Sequence, residues 1–173
     1  KNAKSGDVVS LAAGTYDLTP LQEDVMSSPM NYSTYYGPSM LYISAANVTL
    51  KGATGDPDDV ILTADDAYLR LLRIGGNNSC VRDLTLQGGY ASSVSNAYYN
   101  LRTGGALMFS SSGQFASNCV FVGNTAAVRG GAVSGPNGMM GTVYDSVFRG
   151  NNGSSESLIA SGTTLKGCVI TNN

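Results

Sequence analysis

The stretch Cys119-Val-Phe-Val-Gly-Asn124 decides how this chain is read, because it returns as Ser146-Val-Phe-Arg-Gly-Asn151 and as Cys168-Val-Ile-Thr-Asn-Asn173. Looser copies precede it, Val48-Thr-Leu-Lys-Gly-Ala53 and Leu84-Thr-Leu-Gln-Gly-Gly89. Their first residues lie at 48, 84, 119, 146 and 168, in steps of 36, 35, 27 and 22. A repeated phrase with a shrinking spacer marks one supersecondary unit whose early copies carry insertions.

Within each copy the residues alternate. Val48, Leu84, Cys119, Ser146 and Cys168 form one apolar or small column, and Leu50, Leu86, Phe121, Phe148 and Ile170 form the next. Val81, Ala116, Val143 and Leu165 add a third upstream, while Thr85, Val120, Val147 and Val169 lie on the opposite face. A period of two with apolar residues on one face predicts half-buried strands. Copies that each bury one row and stack on the next predict a solenoid. The closing Gly-Asn or Asn-Asn predicts a sharp turn, since Gly and Asn tolerate positive φ best.

A second phrase lies between copies of the first: Gly104-Gly-Ala-Leu-Met108, Gly130-Gly-Ala-Val-Ser134 and a degenerate Ser157-Leu-Ile-Ala160, which sets Ala106, Ala132 and Leu158 each 26 apart. Two strand phrases per repeat describe one coil of a β-helix. With Val60-Ile-Leu-Thr63, Leu72-Arg-Ile74 and Cys80-Val-Arg-Asp-Leu-Thr-Leu-Gln-Gly-Gly89 alongside Asn118-Cys-Val-Phe-Val-Gly-Asn-Thr-Ala126, the chain resembles the right-handed parallel β-helix (pectin-lyase-like) family. The similarity is greatest to the polymorphic outer-membrane-protein kind of surface repeat. It covers roughly residues 5–18 and 41–173. The resemblance implies an all-β solenoid of roughly six coils in a single domain, residues 1–173, with loops inserted at about 19–40 and 90–103. It also implies a preceding capping helix, of which residues 1–7 would be the last turn, and hence a longer parent chain.

Composition narrows the function. The 173 residues include 22 Gly and only 13% charged residues, with a net charge of −2. No basic run is present, which argues against nucleic acid as a partner. No apolar segment approaches the length of a membrane span. His and Trp are both absent, so a histidine base or metal ligand has no source within this segment. Carboxylates remain. Asp56, Asp58 and Asp59 crowd a turn, where Asx side chains bond their own backbone; the same oxygens make them a weak calcium candidate. Asp65-Asp66 is followed by Ala-Tyr-Leu, and Arg73-Ile74 by Gly-Gly. The paired-aspartate, Gly-His-Gly and Arg-Ile-Lys pattern of polygalacturonase relatives therefore fails, as does the aspartate and arginine pattern of pectate lyases. No residue is assigned a catalytic role and no cofactor is implied.

The two insertions share tyrosines, Tyr32, Tyr35 and Tyr36 in the first and Tyr90, Tyr98 and Tyr99 in the second. Long solenoid loops often carry function, and a tyrosine ring offers an apolar face with a hydroxyl for sugar or protein. These six are the candidate ligand-binding residues, against the plainer reading that the loops bury their own rings. Asn31, Asn47, Asn77 and Asn152 begin Asn-x-Ser/Thr sequons and are glycan acceptors if the chain passes through a eukaryotic secretory pathway. Cys119 and Cys168 fall in one column two coils, about 10 Å, apart, beyond disulfide reach. Buried free thiols are expected for Cys80, Cys119 and Cys168, with a disulfide to chain outside the segment as the other reading. The expectation is a non-catalytic extracellular module with a structural or adhesive role, stacked at its ends against further coils or protein subunits, with carbohydrate as a further candidate partner. The competing expectation is a secreted lyase or hydrolase of acidic polysaccharide.

Overall fold

The alternating phrases do form strands. In a computed structural model, which describes residues 2–21, 39–92, 102–135, 141–153 and 159–173, every described element is a strand. These are β1 (Val8–Leu11), β2 (Gly14–Asp17), β3 (Ser39–Ile43), β4 (Thr49–Gly52), β5 (Val60–Thr63), β6 (Arg70–Ile74), β7 (Cys80–Gln87), β8 (Tyr90–Ala91) and β9 (Leu107–Phe109). There follow β10 (Phe115–Val122), β11 (Thr125–Ala126), β12 (Val133–Ser134), β13 (Thr142–Tyr144), β14 (Val147–Arg149), β15 (Asn152–Gly153), β16 (Ala160–Ser161), β17 (Thr164–Lys166) and β18 (Val169–Thr171).

Every strand pairing is parallel. The largest sheet runs β1-β4-β7-β10-β13-β17, with β2-β5-β7 and β10-β14-β18 continuing its other half. A second sheet orders β15-β11-β8 and a third β16-β12-β9-β6-β3. From β7 onward the chain visits the large sheet, the three-stranded sheet and the five-stranded sheet in turn, then returns. Parallel neighbours that recur in this order are consistent with a β-solenoid.

Pairing registers place the columns. Leu62, Leu86, Phe121, Phe148 and Ile170 stand level, and the first four are at most 1% exposed. The Phe121 and Phe148 rings stack with centroids 4.7 Å apart and planes 8° from parallel. Val9, Leu50, Val81, Ala116, Val143 and Leu165 form the other inward column.

Several expectations need correction. Leu50 stands level with Val81, not with Leu86, and Thr49 with Cys80. The true partner of Thr85–Gln87 in the preceding pass is the Ile61–Thr63 stretch of β5. The cause is the 53–59 segment, which leaves the sheet between β4 and β5 while the uninterrupted β7 pairs with both. In the third sheet Val133 pairs with Ala160 and the Ala132 amide donates to the Ile159 carbonyl, so Ile159 rather than Leu158 is level with Ala132; Leu158 itself lies outside the described residues. Val120 does lie on the outer face, yet it is only 6% exposed. The adjacent Thr85 donates from Oγ1 to the Pro57 carbonyl, and Asn118 Nδ2 to that of Gly55, drawing the 53–59 segment across the face. The insertions are also shorter than expected, because Ser39 and Met40 already belong to β3 and Tyr90–Ala91 to β8.

Turn chemistry divides between two residues. Gly88, Gly123, Gly150 and Asn172 take the positive φ, at 74°, 58°, 66° and 51°. The asparagine that follows points inward and is buried: Asn124 and Asn151 are 0% and 1% exposed. Asn124 Nδ2 donates to the Leu86 carbonyl and to Asn151 Oδ1, while its Oδ1 accepts from the Gly89 amide. Asn151 repeats this one pass later with the Phe121 carbonyl, Asn173 Oδ1 and the Asn124 amide. A second column with positive φ, Asp83, Asn118, Asp145 and Gly167, bends the large sheet at mid-width; there Asn118 Nδ2 donates to Asp83 Oδ1. Gly105 is needed for a different reason. A Cβ there would lie 2.2 Å from the Thr125 carbonyl oxygen and 2.5 Å from that of Gly131.

Phe121→Ala empties a fully buried site and should cost about 3–5 kcal/mol; Val147→Thr, on the outer column, should change stability by about 0.5 kcal/mol or less. Asn124→Leu keeps the volume but strands the Leu86 carbonyl and the Gly89 amide. At about 1–3 kcal/mol for each unpaired group, it should destabilise as much as the phenylalanine truncation. Urea unfolding of the three variants measures all of these.

Candidate functional site

The tyrosine candidates separate. Tyr90 sits in β8, paired with Thr125 of β11, so it is a strand residue and not a loop aromatic. Tyr32, Tyr35, Tyr36, Tyr98 and Tyr99 lie outside the described residues. Another aromatic, Tyr42 on β3, is 50% exposed and carries the Arg73 guanidinium 3.8 Å from its ring centroid. Sequence reading passed over it because it lies in a strand and not in an insertion.

The acidic candidates form turns. Asp56 Oδ1 accepts from the Asp58 amide, the Asp59 amide donates to the Asp56 carbonyl, and Thr54 Oγ1 accepts from the Asp56 amide. This is an Asx turn, built because a short side-chain acceptor replaces a backbone one. The Asp59 carbonyl in turn accepts from Gly14, which ties the 53–59 segment to β2. Asp65 exchanges two hydrogen bonds with Thr19 through its backbone, and Asp66 takes φ of 50° in a turn. Among the described residues no three carboxylate or thiol groups come together in a way that could hold a metal ion. No described helix is long and apolar enough to cross a membrane.

The three cysteines are free. Cys119, Ser146 and Cys168 occupy successive levels of one inward column, and each side chain bonds the carbonyl two residues back: Ser117, Tyr144 and Lys166. Ser146 Oγ also accepts from the Cys119 amide. Burial pushes the Cys119 thiol up to about 12. A thiol this hard to ionise is a poor nucleophile and metal ligand. Cys80 faces outward on β7 but is covered, with Sγ 3.4 Å from Thr49 Oγ1.

Of the sequons, Asn47, Asn77 and Asn152 are exposed, while Asn31 lies outside the described residues. Asn47 takes φ of 58°, and its neighbouring-pass counterpart Asn78 donates to its Oδ1.

The least expected buried group is Arg70, 1% exposed at the start of β6. Its Nε donates to the carbonyls of Thr103 and Gly104, and its Nη1 to Ser39 Oγ. Desolvation, with Arg73 nearby, lowers its pKa to about 9. Gln114 behaves similarly. It is 2% exposed, donates from Nε2 to the carbonyls of Ile74 and Gly76, and accepts from the amides of Ser110 and Ser111. Both side chains hold backbone groups of neighbouring passes at corners of the stack.

Comparison of the chain with protein families, with curated proteins and with solved structures gives no match.

Because the folded state holds Cys119 neutral up to about pH 12 while an unfolded thiol ionises near 8.5, its share of stability is complete below about pH 8.5 and is lost as pH rises above it. Between pH 9 and 10.5 the unfolding free energy should fall more steeply for the native chain than for Cys119→Ser, by up to about 1.4 kcal/mol per pH unit. Equal slopes in urea titrations of the two would refute the assignment.

Proposed function

We propose that this chain is a non-catalytic extracellular module: a right-handed parallel β-helix of roughly six coils, of the surface-repeat type, serving a structural or adhesive role. One observation carries the reading. The buried polar side chains described above (Asn124, Asn151, Gln114, Arg70 and Ser146) bond backbone groups or ladder partners of adjacent passes. A catalytic centre holds polar groups in reserve for a substrate and perturbs their pKa toward the working pH. Here the two groups shifted by burial, Arg70 and Cys119, are sealed in the interior, and the exposed Asp17 carboxyl is held below its ordinary value by hydrogen bonds with Thr19. The turn-forming role of Asp56, the two backbone hydrogen bonds of Asp65 with Thr19 and the bond that Asp83 Oδ1 accepts from Asn118 support the same reading. Further coils or protein subunits at the ends are the partners this reading implies, with carbohydrate a candidate ligand for exposed rings such as Tyr42. Exposed Asn47, Asn77 and Asn152 would carry glycans in a eukaryotic secretory setting.

A panel of polyuronates, incubated with the chain with and without calcium, tests the proposal. No turnover is expected. Product formation that disappears in Asp58→Asn or Asp65→Asn would establish the hydrolase or lyase reading in its place.

A further inference from the structure

The 53–59 segment, drawn across the outer face of the large sheet, carries the aspartyl–prolyl peptide bond Asp56–Pro57. Water reaches it, since residues 53–56, 58 and 59 are exposed and Pro57 is half-buried. The segment is fastened on both sides of that bond. Asn118 Nδ2 of β10 donates to the Gly55 carbonyl at 2.9 Å, and Thr85 Oγ1 of β7 to the Pro57 carbonyl at 2.8 Å. An exposed peptide bond is thereby clamped in one conformation.

Within the clamp, three groups converge on the Asp56 main-chain carbonyl. Its oxygen accepts from the Asp59 amide at 3.3 Å and from the Thr54 hydroxyl at 3.4 Å. Bonds this long to a neutral carbonyl tighten when the oxygen gains negative charge. The Asp56 side chain bends forward so that Oδ1 accepts from the Asp58 amide at 3.0 Å. This Asx turn folds the carboxylate along the Asp56–Pro57 peptide, beside the carbonyl carbon. On the far side of the bond, the proline nitrogen carries no hydrogen and leaves as a secondary amine.

We propose that Asp56–Pro57 is a self-cleaving bond: in mild acid the Asp56 carboxylate attacks its own main-chain carbonyl and divides the chain into residues 1–56 and 57–173, which remain one folded unit. A bond forms between a carboxylate oxygen and the carbonyl carbon, and the carbonyl oxygen becomes an oxyanion facing the Asp59 amide and the Thr54 hydroxyl. The C–N bond to Pro57 then breaks. Its electron pair stays on nitrogen, which takes a proton from the acidic solvent, and Asp56 is left as a cyclic anhydride. Water adds to the anhydride, restoring the side-chain carboxyl and leaving a new C-terminal carboxyl. The net change is the addition of water across the peptide bond. The pieces stay together because strand pairings cross the cut: β4 pairs with β7, β2 with β5 and β3 with β6. The reaction occurs once per chain and acts on no other molecule, so it and the role proposed above stand or fall separately.

Intact-mass measurement over time in mild acid, on the full chain both folded and in denaturing urea, tests the proposal. The folded chain should yield the two fragments at least about tenfold faster than the unfolded one, which has the same bond but neither the clamp nor the oxyanion donors. Size exclusion without denaturant should show both fragments eluting together where the uncut chain elutes. Asp56→Ala removes the nucleophile and should abolish the cut. Thr54→Ala and Thr85→Val, each shown by circular dichroism to be folded, should slow the folded rate by about fivefold or more and leave the rate in urea unchanged. A folded chain that cuts no faster than the unfolded one would reduce the bond to ordinary acid lability and overturn the proposal. So would an absence of cutting, fragments that part without denaturant, or folded Thr54→Ala and Thr85→Val chains that both cut at the native rate.

Discussion

Asparagine side chains at one corner hold the passes of this chain in a single register, and the packing follows from that. Asn124 touches the preceding pass through the Leu86 carbonyl and the Gly89 amide, and the following pass through Asn151. A slip of one residue would break all of these bonds and turn every inward side chain outward. The aromatic stack of Phe121 on Phe148 and the aliphatic column beside it depend on the same alignment. The corner is buried, so its backbone groups have no water to fall back on. An amide side chain, with donor and acceptor in one plane, serves both kinds of group at once.

The later passes were legible in the sequence because register and turn residues recur together: Gly-Asn at 123–124 and 150–151 follows the same Val-Phe pair. What misled was the role of the asparagine. Tolerance of positive φ explains Asn172, but at 124 and 151 the preceding glycine makes the turn and the amide makes the ladder. The recurrence of Asn after Gly, where two glycines would turn as well, was the available signal. The earlier passes were read one phrase out. Val48-Thr-Leu-Lys-Gly imitates Leu84-Thr-Leu-Gln-Gly in pattern, yet it lies before the sheet's mid-width bend and its imitator after it. A pattern of period two carries no label for the side of a bend on which it falls.

Burial of Val120 and Arg70 was illegible for a different reason, since both depend on segments distant in sequence. Val120 is covered because Pro57 and Gly55 carbonyls accept from Thr85 and Asn118. Arg70 is interior because the next pass offers the Thr103 and Gly104 carbonyls to its guanidinium, at a level where that pass has the side-chain-free Gly105. The candidate site was less legible than the fold. Carboxylate clusters and loop tyrosines are compositional signals, and it takes the hydrogen bonds to show the Asp56 carboxylate as a turn member and that of Asp83 as a ladder member.

The ladder also gives the stack a direction. Asn124, Asn151 and Asn173 each send Nδ2 back to a carbonyl of the preceding pass, at Leu86, Phe121 and Phe148. Each also accepts through Oδ1 from an amide of that pass, at Gly89, Asn124 and Asn151. No asparagine of the three reaches forward to a backbone carbonyl in this way. The side chains of one pass therefore complete the backbone of the one before it, so the register of each of these passes is fixed from the pass that follows it.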